Sequence, residues 1–311
     1  MPPEPNLSNV AKPHKASNIN EFREVLEYIQ KSPPWTRNVI YRGHDCAGYK
    51  LTSTLERLVE KLNKAGSERI GGITHHPHTL KSAEDWLLSE FRRGVRHHYD
   101  VGLDDKDRLG WLALMQHHGA PTRLLDWTLS PYVALYFAVQ PGRAECAVWA
   151  HSPSILDDWC MAIETAADVD EATRKKLFPM TRKLITSNSD IEERHDIINK
   201  LLHSGTANKY SLATFIRPFH LNLRVTAQQG VFAVPLSDEI PLERCLLQSV
   251  LMSKSGGALM HKITIKDYSR TQILRELKLM NITHETLFPG LDGFAKSLQD
   301  QLATSSEGFF L

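Results

Sequence analysis

Apolar positions recur along the chain with two periods, and each predicts a different element. Phe22, Val25, Leu26 and Ile29 fall at helical spacing behind Asn20, which predicts a capped helix over 21–31 that Ser32-Pro33-Pro34 ends. Leu51 to Leu62 reads as a turn entering a second helix. A longer helix over 82–99 takes Ser82 as its N-cap with Asp85 three residues on. Trp86, Leu87, Phe91 and Val95 mark its buried face, and Arg92, Arg93, Arg96, His97 and His98 its basic side. Trp111, Leu112, Leu114 and Met115 form an apolar stripe in a helix begun at 104–108, which runs into Gln116, His117 and His118 before Gly119 and Pro121 end it. Thr122 to Trp127 is a short extended run. Ser130 then caps a helix with Pro131 at its first position and Val133, Ala134, Phe137 and Ala138 on one face.

Period-two or continuously apolar runs predict strands over 38–41, 145–150, 211–216, 231–235 and 261–265. Asp267 caps a helix through Leu279 with Ile273, Leu274 and Leu277 inside, and short helices over 283–288 and 289–302 follow. The mixture is an α+β pattern: a mixed, mostly antiparallel sheet with a helical N-terminal half and a helical insertion near 153–207. Residues 1–18, rich in Pro, Asn, Ser and Lys, read as a flexible tail. Residues 19–303 read as a single domain and 304–311 as a C-terminal tail.

Composition narrows the function. The 311 residues are 41% hydrophobic and carry a net charge of +1, so no bulk charge argues for nucleic acid or membrane. Cys46, Cys146, Cys160 and Cys245 are scattered and form no CxxC pair, which fits free thiols in a reducing cytoplasm. No charged-then-apolar leader and no long apolar run is visible, so a cytoplasmic location away from membranes is expected. His75, His76 and His78 sit in a glycine-rich loop over 65–79 with no partner at ligand spacing, and no metal is expected. There is no P-loop, HExxH or GxSxG, and no GxGxxG after a strand.

The densest polar chemistry lies in the central block. Arg123, Asp126, Thr128 and Ser130 fall within eight residues among Leu124, Leu125 and Trp127. Charges in so apolar a segment need partners or a cleft. They read either as an Arg123–Asp126 pair that ties the strand to its neighbours or as a ligand site. His117 and His118 are adjacent, so on a helix they point about 100° apart and at most one faces a site. Arg42 and Gly43 are delivered at the end of the 38–41 strand, where Gly allows close backbone approach.

The run QHHGAPTRLLDWTLSPYVALYFA at 116–138 resembles the core signature of the FRG domain family, with Tyr41-Arg42-Gly43 as a Tyr variant of its Phe-Arg-Gly. Further blocks in the same order are LTSTLER at 51–57, AVW at 147–149, FIRPFHLNLRVTAQQGVFAV at 215–234 and LFPGLDG at 287–293, so the resemblance spans 38–300.

The order of polar sites also resembles the three-motif layout of ADP-ribosyltransferases, which use NAD. That resemblance implies an ADP-ribosyltransferase-like sheet. It implies Arg42 on the NAD phosphates or ribose, Thr128 or Ser130 supporting the nicotinamide pocket, and Gln228 or Gln229 where a Glu is expected. A Gln is no general base, so the carboxylate would come from Asp126, or a base from His117 or His118. Tyr41, Trp127, Tyr132 and Tyr136 are candidate stacking walls, and Gln116 and Arg123 candidate ligand contacts. The resemblance to toxin-like folds implies an NAD-using transferase or glycohydrolase, an effector in bacterial stress or phage defence acting on a protein or nucleic-acid acceptor. A non-catalytic nucleotide-binding or interaction module is the second reading. A nuclease-like toxin built on His117, His118 and the 92–98 helix is the third.

Overall fold

In the computed structural model the described residues are 7–31, 39–66, 78–95, 97–98, 102–152, 171–172, 175, 179–180, 182–183, 191–204, 211, 213–217, 223–252 and 260–304. Seven strands form one mixed sheet: β1 (Lys12–Ala16), β2 (Ile40–His44), β3 (Leu125–Thr128), β4 (Glu145–His151), β5 (Ala213–Ile216), β6 (Gly230–Pro235) and β7 (Met260–Lys266). Their order is β1-β7-β4-β2-β3-β6-β5. Every pairing is antiparallel except the edge pair β1–β7. The helices described are α1 (Leu7–Val10), α2 (Ile19–Lys31), α3 (Thr54–Gly66), α4 (Leu80–Val95), α5 (Arg108–His117), α6 (Pro131–Val139), α7 (Ile191–Ser204), α8 (Leu223–Ala227), α9 (Leu242–Met252), α10 (Arg270–Leu279), α11 (His284–Leu287) and α12 (Leu291–Thr304). The fold is α+β. No described helix is long and apolar enough to cross a membrane.

Strand alternation sends side chains to two cores. Val148 and Ala150 of β4, with Ile263 and Ile265 of β7, pack under α2, α6 and α10. Trp149 of β4 and Trp127 of β3 point the other way, onto α9 and Leu7 of α1. A third core joins α4, α5 and α7 to Phe232 and Val234 of β6.

Several local expectations hold. Ser130 accepts from the Val133 amide at 3.3 Å behind Pro131, and Gly119 takes φ +78 after α5. There the Ala120 and Gly119 amides reach back to the Met115 and Gln116 carbonyls, a Schellman closure that needs the left-handed residue Gly supplies. Ile273, Leu274 and Leu277 are buried as expected.

Other expectations are corrected. Residues 7–16 of the expected N-terminal tail form α1 and β1; Leu7 is fully buried, and β1 is held by β7, a partner 249 residues downstream at Lys12↔His261 that no local pattern signals. Asn18, not Asn20, caps α2 through its Oδ1. Thr79, not Ser82, caps α4, with reciprocal bonds between the two hydroxyls and amides. Trp86 is 64% exposed, because Ala83, Glu84 and Leu88 take the inner face of α4. Ser269, not Asp267, caps α10. Arg42 and Gly43 lie within β2 and not past its end. The stop at 32–34, His75 and His76, Arg96 and Tyr99, Cys160, most of the 153–207 insertion, and the tail beyond Thr304 lie outside the described residues.

Gly43 explains how α6 rests on β2. A Cβ there would stand 2.0 Å from the Ala134 carbonyl oxygen and 2.8 Å from the Ala138 nitrogen. Only glycine lets the helix backbone approach the strand so closely.

Candidate functional site

β2 and β3 are registered only at Tyr41↔Thr128, among the described residues, whereas β2 pairs with β4 over five residues and β3 with β6 over four. A cleft of about 670 Å³ opens where the two strands part. Its walls are Tyr41, Arg42, Gly43 and His44 of β2, Asp126, Trp127 and Thr128 of β3, the 45–57 stretch leading into α3, Phe137 and Pro141 around α6, and Arg224 and Gln228 around α8.

Arg42 is half-buried, and its contacts bridge the two strands. Its Nε donates to His44 Nε2 at 3.0 Å, and Nη1 donates to the Asp126 carbonyl across the split. Burial, followed by the nearby Arg57 charge, pulls the Arg42 pKa down to about 10 against the opposing effect of Asp126, so it stays charged near neutral pH. Burial and then the Arg42 charge push His44 down to about 3. His44 is therefore neutral near pH 7, with Nε2 as the acceptor from Arg42.

The Asp126 carboxylate is exposed to the cleft. Its Oδ2 accepts from Gln116 Nε2 at 3.0 Å, and Gln116 Oε1 accepts from Thr122 Oγ1 at 2.6 Å. Thr122 is itself fixed by Thr54, whose Oγ1 accepts from the Thr122 amide at 3.0 Å. The end of α5 thus orients a carboxylate that β3 presents.

The remaining sequence candidates divide. Thr128 donates to the Gln228 carbonyl at 2.7 Å and accepts from the Ser130 amide at 3.0 Å, so it joins the cleft walls rather than reaching into them. Ser130 is spent on capping α6. Gln228 lines the cleft, but its amide donates to the Leu287 carbonyl at 3.0 Å.

Gln229, expected as an alternative to Gln228, is exposed at φ +48, outside the cleft lining, and its carbonyl accepts from Leu129. Arg123 is a clear correction. It precedes β3, turns away from Asp126 and pairs with the fully buried Glu84 of α4, Nε to Oε1 at 2.6 Å. Its Nη1 also donates to the Ser237 carbonyl at 3.2 Å. Burial would raise the Glu84 pKa; Arg123, then Arg108, overcome it and hold the carboxyl below its ordinary value.

His117 also lies outside the lining, with its pKa lowered by burial first and then by His118 and Arg224. Of the candidate stacking walls, Tyr41 and Trp127 line the cleft while their rings also pack into the core, and Tyr136 lies outside the lining. Tyr41 is buried and burial pushes its pKa up to about 12. Trp127 packs edge-on to Phe215 at 5.7 Å. Tyr136 donates to Asp300 at 2.8 Å. Helix α6 is buried on nearly every side, so a one-face reading of it misplaces Tyr136.

Sequence reasoning did not single out Asp45, Tyr49 or Lys50 for the site. Thr52 and Arg57 were visible only as part of the LTSTLER block, and Arg224 only within the 215–234 block. Four cations line the cleft, Arg42, Lys50, Arg57 and Arg224, and none forms an ion pair with a described carboxylate. Asp45 is neutralised by Arg143 at 2.8 Å, which leaves Asp126 as the unpaired acid. The lining is therefore net positive and suited to an anion. Among the described residues no group of three or more His, Cys, Asp or Glu is placed to hold a metal ion.

Residues 37–146 match the family model of the FRG domain. The chain carries an FRG domain. The match contains β2, α3 to α6, β3 and the start of β4, so Arg42, Arg57, Asp126 and Phe137 of the cleft fall inside it, while Arg224 and Gln228 fall outside. The blocks at 147–149, 215–234 and 287–293 also lie beyond the matched span. No curated protein and no solved structure matches the chain.

Proposed function

We propose that the cleft of this FRG domain protein binds NAD or a closely related nucleotide and that Asp126 is the carboxylate that acts on it. One observation carries the reading: Arg42 and Asp126, on the two strands that part, face one net-positive cleft with the Asp126 carboxylate exposed. A guanidinium matches phosphate oxygens by charge-assisted hydrogen bonds. When the C1′–N bond of NAD breaks, nicotinamide leaves with the electron pair and C1′ takes up positive charge. A carboxylate held in place by Gln116 stabilises that charge. Water, or an acceptor group, then attacks C1′ and loses its proton to solvent. The ADP-ribosyltransferase-like class, and an effector role in bacterial stress or phage defence on a protein or nucleic-acid acceptor, are proposed on the resemblance alone.

A non-catalytic nucleotide-binding module is the second reading, favoured by Gln228, whose amide is tied to Leu287 where the resemblance expects an acid. The nuclease reading has less support. The groove beside His118 is lined mainly by Leu87, Phe91, Gly94, Val95, Met115 and Ala120, with Glu90 and His98, so its described lining is largely apolar and carries no Lys or Arg for a phosphate backbone.

Calorimetric titration with NAD, with nicotinamide followed in the same samples, tests the proposal. Binding with release supports the transferase or glycohydrolase reading. Binding without release supports the module. Absence of both in wild-type protein removes NAD.

A further inference from the structure

Arg224, in α8, carries the last layer of a stack that reaches the cleft. Its guanidinium lies over the Phe288 ring at 4.7 Å from the centroid. Phe288 stacks on His284 with centroids 4.4 Å apart and planes 17° from parallel. Tyr136 and His284 Nδ1 lie within hydrogen-bonding distance at 3.2 Å, and Phe137, which also lines the cleft, braces Phe288 edge-on at 6.0 Å. Arg224 forms no ion pair with a described carboxylate, so the stack fixes the guanidinium more than any acid does.

A guanidinium backed by an aromatic ring is a planar cation with a second face to offer, and such planes stack well on heteroaromatic rings. Charge decides which ring. Adenine is neutral with an electron-rich face, whereas an N-ribosylated nicotinamide is a pyridinium cation that Arg224 repels. We propose that Arg224 is the stacking plate for a neutral, electron-rich nucleobase of the adenine class at its end of the cleft. The cationic ring of a dinucleotide is then directed away from α8. This rests on the nucleotide reading above and adds the placement and chemistry of the base.

The test uses adenosine, which has neither phosphate nor pyridinium, titrated into the full chain by calorimetry, with wild type, Arg224→Ala and Arg224→Lys compared. Lys keeps the charge and loses the plane. Saturable binding weakened roughly 5- to 30-fold in Arg224→Ala, and by a smaller factor in Arg224→Lys, is expected, since Lys keeps a cation near the ring but not the planar stack. Inorganic pyrophosphate should bind Arg224→Lys as it binds wild type, which also shows that the cleft is intact. Failure of wild type to bind adenosine, or equal adenosine affinity in Arg224→Lys and wild type, overturns the assignment. Neither result bears on nicotinamide release, which tests the nucleotide reading separately.

Discussion

Tyr41 and Thr128 face each other as the single register pair between β2 and β3 among the described residues. Because the strands share so little ladder, Arg42 and Asp126 are in register only with their outer neighbours, Trp149 and Phe232, and on the side where β2 and β3 part they meet the cleft. Arg42 replaces the missing ladder with a side-chain bond to the Asp126 carbonyl. The same opening that weakens the sheet exposes the site.

Gly43 and Gly94 give opposite predictions for one substitution. Gly43→Ala drives a Cβ into the α6 backbone and should destabilise the protein by about 3 kcal/mol or more, since helix and strand backbones cannot both yield. Gly94→Ala, in α4 with open space around it, should be neutral or stabilising by up to about 1 kcal/mol. Denaturant unfolding of both variants checks the contrast.

Glu84 binds both Arg123 and Arg108 from a fully buried position. Glu84→Leu leaves Arg123 buried without its acid and should cost about 3–5 kcal/mol. Glu84→Leu with Arg123→Met removes the stranded charge and should recover a large part of that loss. Equal destabilisation in the single and double variants would contradict this.

Much of the central block can be read from residue order because it depends on neighbours. Ser130-Pro131 starts α6 and Gly119 ends α5 through local hydrogen bonds and dihedrals, and Arg42 and Asp126 could be picked out by their chemistry. Arg123 could not, because its partner Glu84 is 39 residues away and on another element. Trp86 was misread because a periodic apolar pattern does not show that an ion pair claims the inner face of the same helix. The Arg224 layer was hidden for a similar reason: Phe288 and His284 come from the distant C-terminal end of the chain.

Asp107 links pH to stability. It caps α5 and accepts from His195 Nε2 at 2.7 Å, Asn199 at 2.8 Å and the Gly110 amide at 2.8 Å. Burial opposes ionisation, but His195 and then Asn199 and Gly110 outweigh it and bring the pKa down to about 2 from 3.8. A depressed carboxylate contributes stability above its unfolded value and loses it as pH falls towards its folded one. The advantage of wild type over Asp107→Asn should be about 1–2 kcal/mol above pH 4, allowing for partial solvent screening, and should shrink to a small fraction of that by pH 2. Urea unfolding of both proteins between pH 2 and 6 measures it.

Arg42→Ala should weaken nucleotide binding roughly 10- to 100-fold through loss of a charge-assisted phosphate contact. Arg42→Lys should recover part of the affinity, since it keeps the charge without the planar fork. The wild-type affinity should also fall with added salt more steeply than that of Arg42→Ala, which calorimetry at two ionic strengths reads.

The most direct measurement is nicotinamide release from saturating NAD by wild type and Asp126→Asn, with NAD affinity determined for both. The account predicts that Asp126→Asn retains binding within a few-fold and loses release by about 100-fold or more, the order of a removed electrostatic stabiliser. Equal release by the two proteins would contradict the role of Asp126.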